Sequence, residues 1–82
     1  MIPSRVTYSN VLVKQRIESW GENLCFDPEE QILMLIEDKF GAKEIAVIEA
    51  RAENDFLMLK VEADVWTGAR EFALLRSGSL AW

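Results

Sequence analysis

The stretch Phe56-Leu57-Met58-Leu59-Lys60-Val61-Glu62-Ala63-Asp64-Val65-Trp66 decides the fold class. Leu57, Leu59, Val61, Ala63 and Val65 are apolar at a period of two, so an extended chain places all of them on one face. A helix would scatter the same positions around its circumference. Phe56, Met58, Lys60, Glu62, Asp64 and Trp66 fall on the other face. That second face is mixed, charged in the middle and apolar at Phe56, Met58 and Trp66. A sheet face open to water should be polar, so the mixture asks what shields it.

Toward the carboxyl end, Thr67-Gly68 is a turn signal. Residues 69–76 then read as a further strand, with Phe72 and Leu74 on one side and Ala73 and Leu75 on the other. Ser77-Gly78 turns the chain again, and Ser79 to Trp82 forms a short last strand or docks. Toward the amino end, Glu53-Asn54-Asp55 makes a connection from turn-prone residues. Ahead of it, Ile45 to Ala52 alternates only loosely. Alanine and glutamate leave a helix open for 42–52, but the block Ile45-Ala46-Val47-Ile48 argues for a strand.

Before Lys43 the period lengthens. Asp27 is a good N-cap, Pro28 fits the first helical position, and Glu29 and Glu30 suit the positive end of a helix dipole. Gly41 sits where a left-handed C-cap needs glycine, so the signals bracket a helix over 28–40. Ile32, Leu33, Leu35, Ile36 and Phe40 form one apolar arc of about 160° at 100° per residue. Glu30, Gln31, Glu37 and Asp38 fill the opposite arc, with Met34 in their midst. Asn10 caps a second helix over 11–20, stopped by Gly21, with Val13, Ile17 and Trp20 on its inner stripe. Val11-Leu12-Val13 favours extended backbone and is the rival reading there. Arg5 to Tyr8 reads as an extended lead-in. The expected fold is therefore α+β: one domain over 1–82, with two N-terminal helices packed on a three- to four-stranded antiparallel meander.

Nine Lys and Arg against fourteen Asp and Glu give a net charge of −5, and the chain has one cysteine and no histidine. A disulfide scaffold, a zinc site of the usual Cys/His kind and a histidine-activated nucleophile are excluded on those counts. The charges are segregated. Residues 1–17 hold Arg5, Lys14 and Arg16 and no acid, whereas 18–38 hold seven acids and no base. No Lys/Arg cluster suited to phosphates exists, so neither a nucleic acid nor an anionic membrane is an expected partner. The longest apolar run, Ile32 to Ile36, is far short of a bilayer span. Met1-Ile2-Pro3-Ser4 lacks the basic and apolar regions of a signal peptide, and a lone cysteine fits a reducing compartment. A cytoplasmic location is expected.

Chemistry is thinly represented. Glu62 and Asp64 share a strand face, and Glu71 lies on the next strand. Such acids can hold a divalent cation or divide acid and base roles. With Lys60 and Arg70 at hand, ordinary ion pairs on a solvated face account for them better. Cys25 precedes the helix at Asp27, but acids surround it, and it reads as a small apolar filler near the core. The four glycines lie too far apart for a phosphate loop. No catalytic residue, metal or cofactor is assigned.

What remains is surface. Phe56, Met58, Trp66, Ala73, Leu75, Leu80 and Trp82 form an apolar set on or near the outer sheet face, and aromatics and methionine are enriched in interface cores. The expectation is a small acidic, non-enzymatic protein-interaction module. It would be a homodimer through that face and would offer Glu30, Met34, Glu37 and Asp38 to a basic protein. The alternative is an apolar-ligand binder, with Trp20, Phe40, Trp66 and Phe72 lining a pocket between helices and sheet.

Overall fold

A computed structural model describes residues 6–81. The elements run β1 Val6–Tyr8, α1 Val11–Trp20, α2 Pro28–Phe40, β2 Ile45–Ala52, β3 Phe56–Ala63, β4 Arg70–Leu75 and β5 Leu80–Ala81. The fold is α+β, with helices packed on a single sheet of order β1-β2-β3-β4-β5. Strands β2 to β5 form the antiparallel meander. The extended lead-in is a fifth strand: β1 lies parallel to β2, with Val6 opposite Ile45 and Tyr8 opposite Val47. Parallel neighbours need a long crossover, and both helices sit inside it, so they interrupt the sheet rather than precede it.

The helix ends follow their caps. Asn10 Oδ1 accepts from the Val13 amide at 3.1 Å. Asp27 Oδ1 accepts from the Glu29 amide at 3.0 Å, with Pro28 beside it. Gly41 stops α2 at φ 73°, its N–H donating to the Glu37 carbonyl at 2.9 Å. Between the helices, Gly21 lies so close to the Pro28 ring that a Cβ there would overlap it. That absence of a side chain lets the end of α1 touch the start of α2.

The core is the layer between helices and sheet. Val13, Ile17 and Trp20 of α1 and Ile32 and Ile36 of α2 meet Ile45, Val47, Leu57, Leu59, Val61, Phe72 and Leu74. Each large side chain so buried stabilises the fold by roughly 1.5–3 kcal/mol. The loose alternation of β2 is a bulge: Val47 faces Val61 and Glu49 faces Lys60, leaving Ile48 as the extra residue. The inward row therefore slips from Ile45 and Val47 to Ala50.

Strand β3 ends at Ala63, three residues before the expected Trp66. Turn chemistry overrides the period there. The Asp64 carboxylate accepts from the amides of Lys43 and Glu44 at 3.0 and 3.4 Å, and the Trp66 N–H donates to the Ala63 carbonyl at 3.1 Å. Val65 consequently points to solvent, 49% exposed, instead of completing the inward row.

Candidate interaction surfaces

The outer sheet face follows from the register. Glu49, Lys60 and Glu71 stand in one cross-strand row, with Glu62 opposite Ala46 nearby. Phe56 pairs with Leu75, and Met58 pairs with Ala73, making an apolar corner at the other end. All four corner residues are half-buried. Two members of the expected outer set lie elsewhere. Trp66 is on the helix side, its ring edge-on to Phe40 at 5.1 Å and tilted against Phe72 at 5.5 Å. The turn after Ala63 swings it there. Leu80 pairs with Leu74 and packs against the core, because β5 continues the alternation of the sheet. Trp82 lies outside the described residues.

The aromatic residues expected to line a ligand pocket are held by separate sets of contacts. Phe40, Trp66 and Phe72 pack on one another, with Phe40 and Phe72 6.0 Å apart and the Arg70 guanidinium over Trp66 at 4.9 Å. Trp20 lies by the β2–β3 hairpin, its Nε1 donating to the Glu53 carbonyl at 3.0 Å and Arg76 stacked on its ring at 4.7 Å.

The acids have structural partners or solvent. Asp64 is occupied by the loop amides, Glu62 and Glu71 sit on the outer face, and among the described residues no three acid or thiol side chains come together to hold an ion. Glu29 accepts the Tyr8 hydroxyl, tying β1 to the start of α2. Burial pushes the Tyr8 phenol well above its ordinary pKa, and the Glu29 carboxylate, with Asp27 and Glu18, pushes it further.

The helix layer presents the other surface. Met34 is 56% exposed on the outer side of α2, and Glu30 and Asp38 are exposed beside it. A groove of about 550 Å³ runs along one flank, lined by Cys25, Phe26, Leu33 and Met34 and rimmed by Asp27, Glu30 and Glu37. Another, of about 530 Å³, lies between Met34, Leu35, Glu37 and Asp38. Cys25 is thus an exposed groove residue and not a core filler, because the turn before Asp27 carries it outward. The structure brings Glu30, Met34 and Glu37 together on one face. It also shows Val11 and Leu12 of α1, 69% and 58% exposed, whose β-forming character says nothing of a surface role. Helical phase held the signal: both lie off the stripe of Val13, Ile17 and Trp20.

No helix among the described residues is long and apolar enough to cross a membrane. Comparison with protein-family models, with curated proteins and with solved structures finds no match.

Proposed function

We propose that the chain is a small, acidic, non-enzymatic protein-interaction module that works as a homodimer and meets a cationic surface through the outer face of α2. The observation that carries this reading is Met34, more than half exposed among carboxylates with an open groove on either flank. An apolar anchor inside a ring of like charge suits a partner with an apolar contact and Lys or Arg around it. The lone cysteine is consistent with work in a reducing cytoplasm. Light scattering across a concentration series tests the reading, together with binding of a Lys/Arg-rich amphipathic peptide. Dimer formation or peptide binding that Met34→Lys weakens supports it. A monomer that ignores the peptide removes it.

A second reading places the self-contact on the outer sheet face. The apolar corner of Phe56, Met58, Ala73 and Leu75 favours it. There Met58→Glu, and not Met34→Lys, would lower the solution mass.

A further inference from the structure

Strand β1 covers one side of β2 only as far as Val47, because it pairs with Ile45, Ala46 and Val47 and then ends. Among the described residues no strand lies on that side of Ile48 to Ala52, so this stretch is a free sheet edge. Side chains of α1 and its lead-in meet the edge instead. Ser9 Oγ donates to the Ile48 carbonyl at 2.5 Å, and Arg16 Nη1 donates to the Ala50 carbonyl at 3.4 Å. Ala50 is buried, whereas Glu49, Arg51 and Ala52 around it are exposed. Arg16 therefore closes the edge at its middle and leaves it open to either side. A hollow of about 610 Å³ opens there, with Arg16 and residues 49–52 along its wall. Charged side chains placed on an edge strand are a known way of blocking the addition of another strand.

The uncovered stretch is matched to itself. The Ile48 and Ala50 carbonyls point away from β3, since Ser9 and Arg16 reach them, and by strand alternation the polar groups of Ala52 do as well. Two copies of Ile48-Glu49-Ala50-Arg51-Ala52 laid antiparallel about Ala50 therefore set the two Ala50 residues as a hydrogen-bonded pair, with Ala52 of each copy opposite Ile48 of the other. The same register puts Glu49 of each copy opposite Arg51 of the other, a favourable cross-strand pair. Glu71, Lys60 and Glu49 already form one row across the sheet, and Arg51 of the second copy continues its alternation of sign. Arg51 is 73% exposed and meets Glu53 of its own chain at 3.1 Å. We infer that Arg16 is the guard of this edge and keeps β2 from pairing with β2 of a second copy. It occupies the Ala50 carbonyl at the centre of the self-matched register. Pairing must displace that contact in both copies and bring two guanidinium groups to the same axis, where like charges repel. The guarded contact is isologous, so it closes on two chains and does not propagate. It uses neither the outer face of α2 nor the apolar corner of the sheet, and it stands apart from the proposed function.

Sedimentation equilibrium of four chains tests the inference, with the wild type as baseline whatever its own mass. The others are Arg16→Ala, Arg16→Ala with Glu49→Arg, and Arg16→Ala with both Glu49→Arg and Arg51→Glu. Arg16 is exposed and alanine suits a helix interior, so the first change leaves α1 intact, and circular dichroism confirms that each chain folds. Arg16→Ala is expected to self-associate at least about tenfold more tightly than the wild type, the scale of one or two backbone hydrogen bonds gained by the pair. Adding Glu49→Arg sets like charges opposite each other and returns association to the wild-type level. Adding Arg51→Glu as well restores the cross-strand match and the tighter association. Amide exchange followed by nuclear magnetic resonance gives a second readout: the Ala52 N–H is expected to slow with rising concentration in Arg16→Ala and not in the wild type. An Arg16→Ala chain that associates no more tightly than the wild type at any concentration overturns the inference. Tighter association that Glu49→Arg leaves intact, or that Arg51→Glu does not restore, overturns the register and the inference with it. The wild-type mass, read in the same experiment, bears separately on the proposed function.

Discussion

Replacing Trp66 by alanine tests whether this residue belongs to the core or to a surface. Trp66 is half-buried, so its loss should cost less than the roughly 3–5 kcal/mol of a fully buried Trp or Phe. Its contacts give a second route to the same quantity. The ring touches Phe40 and Phe72, at about 0.5–1.5 kcal/mol for each aromatic pair, and carries Arg70 on its face, at about 0.5–1 kcal/mol. Both routes meet near 2–3 kcal/mol. At about 4–8 °C per kcal/mol for a domain this size, Tm should fall by roughly 10–20 °C. Urea unfolding followed by circular dichroism at fixed chain concentration reads the change directly, and Met58→Ala serves as the outer-face comparison. A Trp66→Ala variant within about 0.5 kcal/mol of wild type, the range of an ordinary surface change, would refute the placement. So would a variant whose main effect is on solution mass.

Three further outcomes follow from local structure. Tyr8 is the only tyrosine, and its pKa is raised in the folded chain. The stabilisation linked to that shift is full below the ordinary phenol value of about 10 and is lost as pH rises above it; near-ultraviolet titration should show phenolate appearing together with unfolding, and Tyr8→Phe should flatten the alkaline loss. Gly21→Ala forces a methyl group into the Pro28 ring and should cost about 2 kcal/mol in urea unfolding, whereas a neutral result would deny the close helix contact. Asn10→Ala removes the α1 cap and should cost about 1 kcal/mol, with no change in solution mass.

The legible parts of the fold were those set by local chemistry. Asn10, Asp27, Pro28 and Gly41 marked the helix boundaries because caps act within one turn of chain. Glu53-Asn54-Asp55 and Ser77-Gly78 marked turns for the same reason; Gly78 has φ 94°. What was not legible is non-local or changes period abruptly. Nothing in Val6-Thr7-Tyr8 says that it pairs with β2, since that partnership depends on where two helices return the chain. The row Leu57 to Val65 extends by extrapolation through Asp64, where a side chain captures two amides and ends the strand. That slip alone moved Trp66 from the outer face to the core. At the candidate surface, the acids and Met34 of α2 were readable from helical phase. The groove beside them was not, because Cys25 and Phe26 come from a loop whose path tertiary packing sets.

Self-association is most directly tested by sedimentation equilibrium of the unmodified chain over a wide concentration range. The account predicts a mass approaching twice the 9.4 kDa of one chain as concentration rises. A mass of one chain at every concentration would contradict it.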